Sequence, residues 1–125
     1  MTQLAPRTES FGAGDQSWLG SRHGTDVAKT VTLAPAAWSA KIVDGRIKSG
    51  EPYAMKAGLA VPYASGASDG TEVIAGFLLT DQSVDAARGN VAAPGVWHGR
   101  IITSKLPSTV AAATAKQSGH FLLEA

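Results

Sequence analysis

The sequence predicts a mainly β (α+β) fold: a small compact β domain of short strands with one short C-terminal helix and a flexible N-terminal arm. Three observations predict it. Residues 44–80, DGRIKSGEPYAMKAGLAVPYASGASDGTEVIAGFLLT, alternate short apolar stretches with glycine turns and end in the most hydrophobic run of the chain. Residues 1–25 hold Gly12, Gly14, Gly20 and Gly24 among polar residues, without a sustained period of 2 or 3.6. The third is an alanine-rich segment near the C-terminus, between Pro107 and Gly119, that carries helix start and stop signals.

At 125 residues the chain fits one domain, divided into an arm over residues 1–25 and a β-rich body over residues 26–125. Hydrophobic residues reach 44%, but aromatics are only 6%, so the core is expected to be thin and to gain from association. A net charge of +1 gives no basic stripe, which makes nucleic acid an unexpected partner. The absence of cysteine excludes disulfides and thiolate metal sites. No apolar run approaches the ~20 residues of a membrane span, and the N-terminus lacks the pattern of a signal peptide. A soluble protein made in the cytoplasm is expected.

Within the arm, Phe11, Trp18 and Leu19 are large apolar groups that either fold back onto their own domain or dock on a partner. Val27 to Leu33 then reads as a half-buried strand, with Val27, Val31 and Leu33 on one face and Lys29 as the exception. Pro35 stops it. Ala36 to Ile42 is either a helical turn or irregular chain, anchored by Trp38. Asp44-Gly45 marks a turn between Ile42-Val43 and Ile47, because both residues tolerate positive φ. Ser49 to Pro52 is a second turn, after which Tyr53 and Met55 restart a strand.

Leu59, Val61 and Tyr63 form the apolar face of a strand placed at an edge or beside a bulge, since Pro62 deletes a ladder donor. Val73 to Leu79 lacks alternation and suits a central strand covered on both faces, with a bulge or close approach at Gly76. Residues 81–95 are expected as a long exposed loop, and Val96 to Leu106 as the last long strand. Ser108 or Thr109 caps a helix from Thr109 to Gln117 that ends at Gly119, followed by Phe121-Leu122-Leu123 as a short strand or a docking tail.

Motifs for chemistry are weak. Gly66-Ala67-Ser68-Asp69-Gly70 has the letters of a nucleophile elbow but sits between two strands, so it reads as a hairpin tip. His23, His98 and His120 lie in no metal-ligand spacing, and Gly12-Ala13-Gly14 lacks the rest of a dinucleotide fingerprint. Neither a metal nor a cofactor is therefore expected. Trp18, Trp38 and Trp97 could supply a sugar-binding platform, although aromatics in a small domain are usually core or interface. No catalytic residue, and so no enzyme, emerges.

The order of G-R-I-K-S-G-E-P (residues 45–52), L-A-V-P-Y (59–63), D-G-T-E-V-I-A-G-F-L-L (69–79) and G-R-I-I-T-S-K-L-P (99–107) resembles the head decoration proteins of tailed bacteriophages, the family of the phage lambda decoration protein. The likeness runs from about Val27 to Leu123 and rests on the order of the motifs, each being built from turn and strand residues. It implies a β domain that sits as a homotrimer on the outside of a virion assembled in the host cytoplasm, bound to the major capsid protein. It also implies an arm that orders against the capsid, where Phe11, Trp18 and Leu19 would make the contact. The long arm and the segment from Asp81 to Gly95 depart from the family pattern. A virion-displayed carbohydrate-binding module is the alternative.

Overall fold

The computed structural model describes residues 14–22, 24–25, 28–84 and 89–124. Its centre is a closed five-stranded barrel in the order β1-β4-β3-β6-β8, built from β1 (Lys29–Leu33), β3 (Pro52–Lys56), β4 (Leu59–Pro62), β6 (Gly76–Leu78) and β8 (Val91–Val96). Antiparallel pairing of β1 with β8, from Lys29↔Gly95 to Leu33↔Val91, closes one seam. The other seam is a single parallel pair, Leu33↔Ala60. Three two-stranded sheets extend the barrel: β2 (Arg46–Ile47) with β7 (Gln82–Ser83), β5 (Val73–Ile74) with β10 (Lys116–Gln117), and β9 (His98–Ile102) with β11 (His120–Glu124). The expected mainly β class is what the structure shows.

Glycine turns set the hairpins. Asp44 and Gly45 both take positive φ, 54° and 73°, and close the predicted turn with a bridge between Val43 and Arg46. Ala57 and Gly58 do the same between β3 and β4, at 53° and 79°. Pro35–Lys41 forms a 3-10 helix started by its proline, and it drops the fully buried Trp38 against the barrel, where the indole Nε1 donates to Ala60 O at 2.9 Å.

The most apolar run is indeed covered on both faces, and it divides two cores. Phe77 joins Trp18, Ile74, Val96, Ile101 and Val110 on one side of β6. Leu78 joins Leu33, Trp38, Ile47, Tyr53 and Ala60 on the other. The run is not the one central strand expected over Val73 to Leu79: it breaks at Ala75, because β5 pairs with β10 whereas β6 pairs with β3 and β8. Gly76 and Gly95 press on the Tyr53 phenol so closely that a Cβ at either would collide with its ring or hydroxyl. Burial there pushes the Tyr53 hydroxyl up to about 12.

Other expectations are corrected too. In β4 the fully buried residue is Ala60, while Leu59, Val61 and the following Tyr63 are only half-buried: Ala60 pairs with Leu33 and accepts the Trp38 indole N–H, and the three pack in one cluster where a methyl group suffices. The expected loop over 81–95 contains β7 and all but the last residue of β8, because Pro94 keeps its carbonyl for Leu79 N–H and Gly95 makes space for Tyr53. The expected strand from Val96 to Leu106 breaks at Trp97 and ends in a 3-10 turn, Thr103–Lys105.

The C-terminal helix from Thr109 to Gln117 is reduced to a single turn, in which Ala115 N–H donates to Ala111 O at 2.8 Å. A helix that short is marginal alone, and only Val110 is buried among its first residues. Ladder bonding wins instead, with Lys116 and Gln117 pairing alongside Val73 and Ile74. Helical chain is found at Pro35–Lys41 and Thr103–Lys105.

Candidate functional site

The N-terminal residues from Gly14 form a strap along β9. Leu19 makes an antiparallel bridge with Ile101, Gly20 N–H donates to Arg100 O and Ile102 N–H to Trp18 O, both at 2.8 Å. Trp18 is fully buried, 5.9 Å from the Phe77 ring, and Phe77 in turn meets Phe121 edge-on at 4.9 Å. Its indole Nε1 donates to Ser49 Oγ at 3.1 Å, and Ser49 Oγ donates to Leu79 O at 2.7 Å. Gln16 Nε2 reaches the same carbonyl at 2.6 Å. Gly50 passes under the indole at a distance that leaves no space for a Cβ.

Trp18 and its neighbours, expected within an arm over residues 1–25, thus belong to the folded body. Trp18 and Leu19 were candidates for capsid contact, but Trp18 is spent inside the domain and half-buried Leu19 packs against the same cluster. An aromatic of that size gains more from a closed apolar seat with an indole acceptor than from water. Phe11, the third candidate, lies outside the described residues. Gly14 of the strap lies beside the Asp81 carboxylate, next to a cleft of about 280 Å³ lined by Asp15, Lys48, Ser49, Lys105 and Pro107. Asp15 Oδ1 accepts Ser17 N–H at 2.9 Å, and that bond holds the Asp15 carboxyl below its usual range.

Beyond β9 lies β11, and its outer side is a sheet edge. His120 N–H donates to Trp97 O, so in this parallel ladder Phe121 and Leu123 turn their main-chain groups away from β9. Leu122 is 61% exposed on the same face as Arg100, its register partner. Arg100 grips Glu124 through two bonds, Nε to Oε1 at 2.8 Å and Nη2 to Oε2 at 2.9 Å, and donates from Nη1 to Gly20 O. This pairing lowers the Glu124 carboxyl and raises the Arg100 guanidinium. One arginine therefore ties strap, β9 and β11 together.

At the mouth of the barrel a groove of about 450 Å³ opens around Trp97, with Lys29, Thr30, Met55, Ser118 and His120 on its rim. Lys29 is the misfit on the apolar face of β1. Its strand position brings Nζ over the indole at 5.4 Å from the ring centre. The Trp97 ring centre lies 4.2 Å from that of His98 and 6.4 Å from that of His120, so parallel pairing of β9 and β11 collects two histidines that sequence spacing kept apart. His23 lies outside the described residues, and among those described no cluster of three metal-ligating groups occurs. Of the three tryptophans weighed as a platform against core or interface, Trp18 and Trp38 are core and Trp97 is partly exposed.

A third cluster was not foreseen. Ser108 Oγ donates to Glu51 Oε1 at 2.5 Å and accepts from Lys41 Nζ at 3.0 Å. Glu51 is buried, and its Oε2 has no hydrogen-bond partner among the described residues. Burial pushes the Glu51 carboxyl up, against the opposing pull of Ser108, Lys41 and Lys48. Ser68 is exposed in the bend between β4 and β5 with no helix after it, and the neighbouring Asp69 is engaged by Lys56 at 2.8 Å and by Thr71. No known protein family, curated protein or solved structure matches the chain.

Proposed function

We propose that the protein is a structural decoration protein that binds the outer surface of an icosahedral phage head and stabilises it by bridging capsid subunits. Its partner would be the major capsid protein, and it would act there as a homotrimer. The observation that carries this reading is the anchoring of the strap. A cement protein must pass tension from its arm into its body, and here Trp18, two main-chain bonds to β9 and the Arg100 clamp lie along one path. A pull on Gly14 loads these contacts together, and withdrawing a buried tryptophan costs about 3–5 kcal/mol. Residues 1–13, MTQLAPRTESFGA, precede that anchor and carry the capsid contact, with Phe11 as their aromatic group. Three such arms on a trimer act together through effective concentration.

Deleting residues 1–13 tests this reading better than a longer truncation, since it leaves Trp18 in its seat. The shortened protein should fold and fail to decorate expanded heads. Normal decoration by it would refute the proposal.

A further inference from the structure

We propose that the Trp97 groove binds an acidic sugar, a pyranose carrying a carboxylate. Three features select this class. The indole of Trp97 is partly exposed on a rim with exposed Met55, so the groove offers a flat apolar surface on which the C–H face of a pyranose stacks. Thr30, Ser118 and His120 stand exposed around it and supply donors and acceptors for ring hydroxyls. Lys29 supplies the charge, and no aspartate or glutamate is among the described residues that line the groove. An anionic ligand is thus complementary and a cationic one is not.

Lys29 defines the geometry. Its ammonium lies over the indole at 5.4 Å, on an exposed side chain able to swing aside. In the complex the sugar ring takes the indole face and the ammonium moves to the carboxylate, trading a weak exposed cation–π contact for a charge-assisted hydrogen bond. The site is separate from the anchor on which the capsid reading rests, because none of the described strap residues lines it. Loss of capsid binding on arm deletion would leave it intact, and the reverse.

The test is titration of the full chain with a glucuronic acid trisaccharide, read at the indole N–H of Trp97 by two-dimensional NMR. The indoles of Trp18 and Trp38, bonded inside the fold, serve as fixed references. The Trp97 signal should shift saturably, with binding of the uncharged glucose trisaccharide weaker by about tenfold or more. Lys29→Met should abolish that preference, and Trp97→Ala should abolish binding of both sugars while the Trp18 and Trp38 signals stay in place. Absence of a shift at millimolar ligand, equal affinity for the two sugars, or retained preference in Lys29→Met would overturn the proposal. Tighter binding of a short peptide with a free C-terminal carboxylate would also overturn it, making the groove a peptide site. Should Trp97→Ala fail to fold, the wild-type titration and Lys29→Met still decide.

Discussion

Gln117 caps the outer edge of β11 by bonding both main-chain groups of Phe121. Its Oε1 accepts Phe121 N–H at 2.8 Å and its Nε2 donates to Phe121 O at 3.0 Å. The carboxamide stands where the peptide group of a next strand would stand, so the edge is closed at Phe121 although β11 has β9 as a neighbour on its other side. Open edges template pairing with other chains. The device closes the edge to a second copy at Phe121, beside the exposed Leu122.

Gln117→Ala should therefore have two effects. Two half-buried main-chain groups lose their partners, which lowers stability by about 1–3 kcal/mol in urea unfolding. Sedimentation should also show self-association beyond that of the parent, through β11. Unchanged stability and unchanged sedimentation together would mean that the pairing is incidental.

Trp18 separates the anchored part of the N-terminus from the part that precedes it. Trp18→Ala removes a fully buried indole and leaves Ser49 Oγ without its donor, so a loss of about 3–5 kcal/mol is expected from denaturant midpoints. Trp18→Phe keeps the contact with Phe77 but not the bond to Ser49, and should fall between. Equal stability of Trp18→Ala and wild type would remove the strap from the load path proposed for it.

What could be read in the sequence was what local chemistry decides. Asp44-Gly45 announced its turn because both residues accept positive φ, whereas Ala57 takes φ 53° with no such signal, and the β3–β4 hairpin went unseen. The run from Val73 to Leu79 declared its burial by lacking alternation, and Gly76 its close approach. β8 was hidden because Pro94 and Gly95 are loop residues by habit, and only the non-local facts that β1 pairs with that segment and Tyr53 needs Gly95 make it a strand. The same holds for the groove. Trp97 and Lys29 stood out singly, but parallel pairing across more than twenty residues brings His120 to His98, and no local pattern encodes that. Ser108, Lys41 and Glu51 are joined in the same non-local way.

Glu51 gives a prediction whose sign follows from its burial. Its carboxyl is raised in the folded chain above the ordinary value of 4.5, with burial the largest cause. Below that ordinary value the group is protonated in both states, and its contribution to stability is fully present. As pH rises, the unfolded chain releases the proton first, so stability declines until pH has passed the folded value and is flat thereafter. Glu51→Gln removes the charge but keeps an oxygen that can accept from Ser108 Oγ. Thermal midpoints should show the variant gaining on wild type between pH 4 and pH 7, and at least equal to it at pH 7. A variant that is less stable at pH 7 would show that the ionised carboxylate, held by Ser108 with Lys41 behind it, outweighs the cost of its burial and of the unpartnered Oε2.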